Sequence, residues 1–278
     1  MSDDPKPLDP ALPDGSDAVD DSGGPKDDRH FVTALARGLD VLACFGRGGT
    51  FLANHDIAER CKLPRSTVSR LTYTLTKLGY LHYVEEMGKY RLGTALIALS
   101  SIALGGLDVR QIARPALREL ATFSNASVGL GVRDRLSMRY VECLRGPAAI
   151  ALNIDVGSRL SIARSAMGRA YIAVSSPRER AAIYEELQAF DPLAWPKVRA
   201  SLDKALAEYR EIGCCTSFGE WQETVSAIAV GFNPGGGLPP MAVNCGAPTI
   251  ITDPRFLMET VRPRLIEVVR SLEGVMGA

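Results

Sequence analysis

The stretch FLANHDIAERCKLPRSTVSRLTYTLTKLGYLHY, residues 51–83, decides the fold of the first third of the chain. Ile57, Ala58 and Cys61 fall at i, i+1 and i+4, one inward stripe, while Glu59, Arg60 and Lys62 face out. Asn54 is suited to cap this helix through its side-chain oxygen. Pro64 disfavours helical geometry at Leu63, so the helix must stop there, with Leu63 plugging the turn. A second helix opens at Arg65 or Ser66. Its expected buried stripe is Val68, Leu71, Leu75 and Leu78, and Gly79 ends it. That leaves Arg65, Ser66, Thr67, Ser69, Arg70 and Tyr73 pointing outward. Beyond it, Tyr80–Val84 and Lys89–Leu92 flank Glu85–Gly88, a strand–turn–strand with Gly88 suited to a positive φ. Two helices joined by a tight turn and followed by a β-ribbon outline a winged helix-turn-helix.

The outward set suits DNA. Arginine can pair with guanine O6 and N7, each good pair discriminating by about 1–3 kcal/mol. Serine and threonine hydroxyls suit phosphate oxygens. Lys89 and Arg91 would sit on the wing. The charge distribution agrees with this reading although the net charge is zero. Residues 1–28 carry nine acids against Lys6 and Lys26, whereas residues 29–92 carry ten Lys/Arg against five acids. The basic excess lies where phosphates would have to be neutralised.

Working outward, residues 1–28 are rich in Asp, Pro and Gly and poor in large apolar side chains, so an acidic disordered tail is expected. Residues 31–45 show Val32, Leu35, Leu39, Leu42 and Phe45 at helical spacing, the module's first helix, broken at Gly46–Gly49. The DNA-binding domain is thus expected over 29–92. Residues 93–107 include GTALIALSSIALG, apolar nearly all round, and read as a linker helix and dimer contact. From 108 to 278 an α+β domain is expected, its helices packed on one antiparallel sheet. Asp108 starts a helix through Phe123, with Pro115 as a kink or break. Two strands follow around a turn at Arg133–Arg135, and Ala149–Ile154 is expected as a third strand. Helices are expected at Ser165–Ala173, Pro177–Phe190 and Lys197–Gly213. Strands at Ala227–Phe232 and Pro240–Gly246 and a final helix at Pro254–Leu272 complete the reading.

Composition bounds the function class. With 278 residues and 46% hydrophobic content the chain can build two cores, and its mean hydropathy is near zero. No run approaches the ~20 apolar residues of a membrane span. Cys44, Cys61, Cys143, Cys214, Cys215 and Cys245 show no CxxC spacing, which points to reduced thiols in a cytoplasmic protein. Cys143 and Cys245 are conceivable nucleophiles, but His30, His55 and His82 all lie in the first domain, so no Cys–His pair can form within the second. No GxSxG, P-loop, dinucleotide fingerprint or zinc spacing occurs. No catalytic residue, metal or cofactor is therefore expected.

From about Phe31 to its end the chain resembles the IclR family of bacterial transcription regulators. FVTALARGLDVLACF resembles the family's entry helix, IAERCKLPRSTVSRLTYTLTKLGYL its helix-turn-helix and GKYRLG its wing. VGSRLSIARSAMGRAYIA resembles the segment walling the effector pocket, and AVNCGAP the strand forming its floor. The resemblance implies a winged helix-turn-helix joined to a GAF-like ligand-binding domain. It also implies a homodimer or dimer of dimers on double-stranded operator DNA, with no membrane partner, and a small effector, often an organic or aromatic acid. Carried over by motif, the effector positions are Leu152, Leu160, Ala166, Met167, Ser217, Ala227, Asn244 and Gly246. Ala227 and Gly246 lack the thiol and hydroxyl found in members that bind small keto acids, and Met167 is bulkier than usual, which implies a different effector shape. Trp221 is placed to stack on a planar ligand, and Arg164 is expected to face an anionic one. The expected function is ligand-responsive, sequence-specific DNA binding. The alternatives are a small-molecule-modifying enzyme carrying an appended DNA-binding module, or a regulator with a vestigial pocket that answers to a protein partner.

Overall fold

The computed structural model describes residues 30–46, 51–106, 108–147 and 152–275. The acidic tail, most of the Gly46–Gly49 break and the first half of the expected strand at 149–154 lie outside these residues. The chain divides into two compact units, one ending at Gly106 and the other beginning at Leu107.

The first unit contains α1 (Thr33–Ala43), α2 (Asn54–Cys61), α3 (Arg65–Lys77), the antiparallel hairpin β1 (Leu81–Val84) and β2 (Lys89–Leu92), and α4 (Ala95–Gly105). Its core gathers Val41, Cys44, Phe45, Leu52, Ile57, Ala58, Val68 and Leu81, with Leu42, Leu63, Leu71, Leu75 and Tyr90 packed around it. Two expected stripes need correction. On α1 the buried side is Val41, followed by Cys44 and Phe45 in a 3₁₀ turn, while Val32, Leu35 and Leu39 are exposed. On α3 the buried side is Val68 and Thr72, and Leu78 is exposed. Thr72 is tolerated there because its hydroxyl donates to Val68 O at 3.0 Å. Asn54 is not the cap of α2. Ala53 holds that position, and its N–H donates to the Asp56 carboxylate at 2.8 Å. This bond draws the Asp56 pKa down.

The end of α3 is a Schellman motif: Gly79, at φ +77°, donates to Thr76 O and Tyr80 to Leu75 O. A Cβ on Gly93 would lie 2.1 Å from Gly79 O, so this corner needs glycine for close approach as well. α4 buries none of its residues within the chain.

The second unit is one six-stranded antiparallel sheet in the order β5-β4-β3-β8-β7-β6. Its strands are β3 (Ser127–Asp134), β4 (Ser137–Arg145), β5 (Arg159–Ser161), β6 (Cys215–Phe218), β7 (Val225–Phe232) and β8 (Met241–Pro248). α6 (Ala166–Val174) covers one face. α5 (Asp108–Ser124) and α10 (Arg262–Leu272) lie against β3, β4, β7 and β8. α7 (Pro177–Phe190) and α8 (Trp195–Ile212) complete the layer on the α6 side. α9 (Pro254–Phe256) enters a π turn at Leu257–Val261 before α10, and Pro263 follows that turn. Pro115 does not break α5.

Leu152–Asp155 has no strand geometry, and the strand next to β4 is instead β5, at a segment read from sequence as a turn and pocket flank. β6 follows Gly213 (φ +75°) directly and was not anticipated. Its four residues are too few to show alternation against a neighbouring helix. α8 begins at Trp195, with Pro196 in the first turn where its missing N–H is harmless.

Candidate functional site

Two sites emerge, one in each unit. In the first, α3 is carried on the Val68–Thr72–Leu75 side, which leaves Arg65, Ser66, Ser69, Arg70 and Tyr73 exposed and Thr67 half-buried. Arg65 and Ser66 open the helix, after Pro64 as N-cap, so first-turn N–H groups there have no intrahelical partner. Asn54, at the start of α2, has its side-chain oxygen 3.1 Å from the Thr72 hydroxyl, and its amide reaches Ser69 Oγ at 3.5 Å. These bonds tie the two helices together next to the outward face. Tyr73 carries Lys77 Nζ over its ring at 5.6 Å. On the hairpin, His82 pairs with Arg91 and Val84 with Lys89. Tyr83 and Tyr90 pack ring against ring at 4.9 Å. Leu52 bridges to Tyr90 through a bond in each direction, so the ribbon is anchored to the segment entering α2.

In the second unit, strand register brings the sequence-derived effector positions onto one face. Ser217 lies opposite Ala227, Ala227 opposite Gly246, and Gly246 opposite Ser127. The next row is Cys215, Ala229, Asn244, Gly129 and Cys143, and the next Gly231, Ala242, Gly131 and Tyr140. Directly paired residues share a face, so the sheet beneath α6 is paved almost wholly with small side chains. That paving allows close approach. A Cβ at Gly231 would lie 2.4 Å from Ala170 O, and one at Gly131 would lie 2.2 Å from Met167 Sδ. Leu160, Ala166, Met167 and Ala227 belong to the buried cluster on this side, with Leu152, Cys143 and Trp221 packed against it.

Two buried polar residues interrupt the paving. Asn244 donates through Nδ2 to the Tyr140 hydroxyl at 2.8 Å, and burial raises the Tyr140 pKa, so the phenol is neutral. Asn244 Oδ1 has no protein partner, nor does Trp221 Nε1. Exchanging the two ends of the Asn244 amide would leave the other end unsatisfied instead, so either assignment leaves one buried polar atom unspent. Tyr140 was missed at the sequence level. A β-bulge where Leu130/Gly131 face Tyr140–Glu142 puts Tyr140 on the face of Cys143, where strict alternation would have put Val141.

Arg164 does not reach into this face. Its Nε donates to Glu220 O at 2.8 Å, and its own carbonyl accepts from Ser217 Oγ at 3.0 Å. Arg169, 5% exposed, donates to Thr216 O at 2.8 Å and to Ser201 Oγ at 2.9 Å, and lies 3.3 Å from Glu220 Oε1. Both arginines therefore clasp the Glu220–Trp221 loop from outside. Burial raises the Cys143 and Cys245 thiols to about 11. At neutral pH they are not nucleophilic thiolates. Among the described residues no cluster of His, Cys, Asp and Glu could hold a metal, and no single helix is long and apolar enough to cross a membrane.

Comparisons with known proteins cover both units. Residues 34–85 match the IclR helix-turn-helix domain, and residues 101–271 match the bacterial transcriptional regulator IclR C-terminal domain. The chain is 31% identical to the HTH-type transcriptional regulator TsaQ1/TsaQ2 of Comamonas testosteroni, over 89% of both proteins. It is 32% identical to XynR of Escherichia coli, over 72% of this chain and 79% of that one. A solved IclR family transcriptional regulator from Brucella abortus superposes with a TM-score of 0.80 at 38% identity, covering 90% of this chain and 95% of its own. The small-residue sheet face, the exposed Arg/Ser/Thr helix and these matches lead to one assignment: the chain belongs to the IclR family of ligand-responsive, DNA-binding transcriptional regulators.

Proposed function

We propose that α3 enters the major groove of operator DNA, with Arg65, Ser66, Thr67, Ser69, Arg70 and Tyr73 at the interface and Lys89 and Arg91 of the wing on the backbone. Two copies read a pseudo-palindrome. The exposed Phe31, Val32, Leu35 and Leu39, together with an α4 that buries nothing in its own chain, support a homodimer as the unit that binds, with a dimer of dimers as its extension. The DNA-binding domain spans 29–92, residues 93–107 link it, and 108–278 form a GAF-like effector domain in a cytoplasmic protein.

The effector lodges beside the start of α6, over the small-residue sheet face, against Leu152, Leu160, Ala166, Met167, Ser217, Trp221, Ala227, Asn244 and Gly246. The observation that carries this is the pair of unspent buried polar atoms, one on Asn244 and one on Trp221, beside a floor without bulk. Leaving such an atom unpaired costs about 1–3 kcal/mol, which a bound polar group would recover. A small aromatic acid with a second polar substituent fits this pattern: a flat ring for the narrow space and a hydroxyl for the Asn244–Tyr140 pair. An IclR homolog from Microbacterium hydrocarbonoxydans, 24% identical with a TM-score of 0.69, was solved as a complex with 4-hydroxybenzoate. Arg164, bonded to Glu220 O, acts on the ligand through the loop that carries Trp221. Calorimetry with 4-hydroxybenzoate and benzoate tests the reading. The hydroxylated acid should bind tighter, and Asn244→Leu should abolish the difference. Equal affinity for both acids, or no binding of either, contradicts it.

A further inference from the structure

The DNA-binding unit holds a pair of thiols at the edge of its core, Cys44 within the buried cluster and Cys61 packed against it. Cys44 lies in the 3₁₀ turn that ends α1, and Cys61 is the last residue of α2. They come together on one turn of α1: Cys44 Sγ bonds Val41 O at 3.1 Å and Cys61 Sγ lies 3.7 Å from the preceding carbonyl, Asp40 O. The two thiols are hydrogen-bonded to each other, and both are reduced. Cys44 is 3% exposed, whereas Cys61 is half-buried and reachable from solvent. Arg60 and Lys62 flank Cys61, and Arg60 also donates to Cys44 O at 3.1 Å. The outer sulfur is the one a solvent oxidant can reach. Burial and the bond from Cys61 hold the inner thiol protonated at neutral pH. This division suits an attacking outer sulfur and a resolving inner one.

We propose that Cys61 and Cys44 form a hydroperoxide-sensitive dithiol whose oxidation to a disulfide weakens operator binding. The Cys61 thiolate attacks the distal oxygen of the hydroperoxide. An S–O bond forms, the O–O bond breaks, and water or an alcohol leaves. The Cys44 sulfur then attacks Cys61, the S–S bond forms, the S–O bond breaks, and the hydroxyl leaves as water with the Cys44 proton. The two thiols together lose two electrons and two protons, and the peroxide takes them up. To close the bond both sulfurs must leave the α1 carbonyls. That movement bears on the C-terminus of α2, where Lys62 sits at φ +51° and Leu63 N–H bonds Ala58 O to set the turn into α3.

The test uses the full chain and hydrogen peroxide. Peptide mass mapping should find a Cys44–Cys61 link, two mass units lighter than the reduced pair, before Cys143, Cys214, Cys215 or Cys245 is modified. Affinity for the duplex upstream of the gene should fall by roughly fivefold or more, return with dithiothreitol, and be unaffected by peroxide in Cys61→Ser. Cys44→Ser provides a second variant, in which Cys61 should stop at the sulfenic acid. Peroxide-treated chain without the link, or equal loss of DNA binding in Cys61→Ser, overturns the proposal. The mapping arm needs no DNA, so a failure of the operator reading would not be mistaken for a failure here.

Discussion

Arg70 and Asn244 are the residues on which the proposed roles of the two units turn, and each has a distinct signature. Arg70 is exposed in mid-helix on α3. Arg70→Ala should therefore leave thermal stability unchanged and weaken the preferred duplex by about tenfold, within the 1–3 kcal/mol of one guanine pair. Binding to random duplex should change little, and fluorescence anisotropy on both duplexes measures the split. Gly131 reports on the other unit. Its missing Cβ leaves the space taken by Met167 Sδ, so Gly131→Ala must displace a buried, flexible side chain at the proposed effector site. Chemical denaturation should show a loss of about 1–3 kcal/mol, the usual cost of overpacking, and calorimetry a weaker effector. Many of these positions were legible in the sequence. The helix stripe marks the outward face on which Arg65, Ser66, Ser69 and Arg70 are exposed, and the strand register brings Ser217, Ala227, Asn244 and Gly246, positions implied by family motifs, onto one sheet face. Tyr140 was not legible, because the bulge in β3/β4 shifts its face and a single sequence carries no mark of a bulge.

At the scale of elements, α6 and α7 were read closely, and their N-caps are written in the sequence. Ser165 Oγ accepts from Gly168 N at 3.1 Å, and Ser176 Oγ from Glu179 N at 3.2 Å. The short strands β5 and β6 were missed because three or four residues carry too little periodicity. On α1 the apolar spacing was seen but assigned to the wrong interior. Val32, Leu35 and Leu39 are apolar yet exposed, and a sequence cannot distinguish a core face from a face awaiting a second copy. The cap of α2 gives a pH prediction. Asp56 has its pKa lowered chiefly by the Ala53 N–H, so its charged form is favoured in the folded state. It adds stability above the unfolded carboxylate range near 4, and this is lost as pH falls through the lower folded value. Asp56→Asn should lower the midpoint of thermal unfolding at pH 7 and flatten its fall between about pH 5 and 3, as followed by circular dichroism. Behind the pocket floor, Glu142 is 3% exposed and lies 3.3 Å from Arg110 Nε and 3.8 Å from Arg114 on α5. Removing it strands a partly buried guanidinium. Glu142→Ala should cost about 2 kcal/mol in denaturant unfolding, less than a fully buried pair because Arg114 is half in water.

For the whole molecule, the two units divide the labour of a regulator. One presents a basic, hydroxyl-rich helix, and the other packs α6 on a small-residue sheet face beside a few uncommitted buried polar atoms. Their composition already differs, since the basic excess is concentrated before residue 92 and every histidine lies there too. A neutral net charge over the full chain conceals this, so local charge rather than the overall balance was the informative quantity. Coupling between a pocket and an operator of the usual 1–3 kcal/mol would change DNA affinity by about 5- to 150-fold on effector binding. The most direct test of the central claim is a salt titration of anisotropy on two duplexes, the DNA upstream of the gene and a scrambled version of it. The upstream duplex should bind tighter at every salt concentration, with log K falling linearly against log salt on both. Equal affinity for the two duplexes, or binding that ignores salt, would contradict the account.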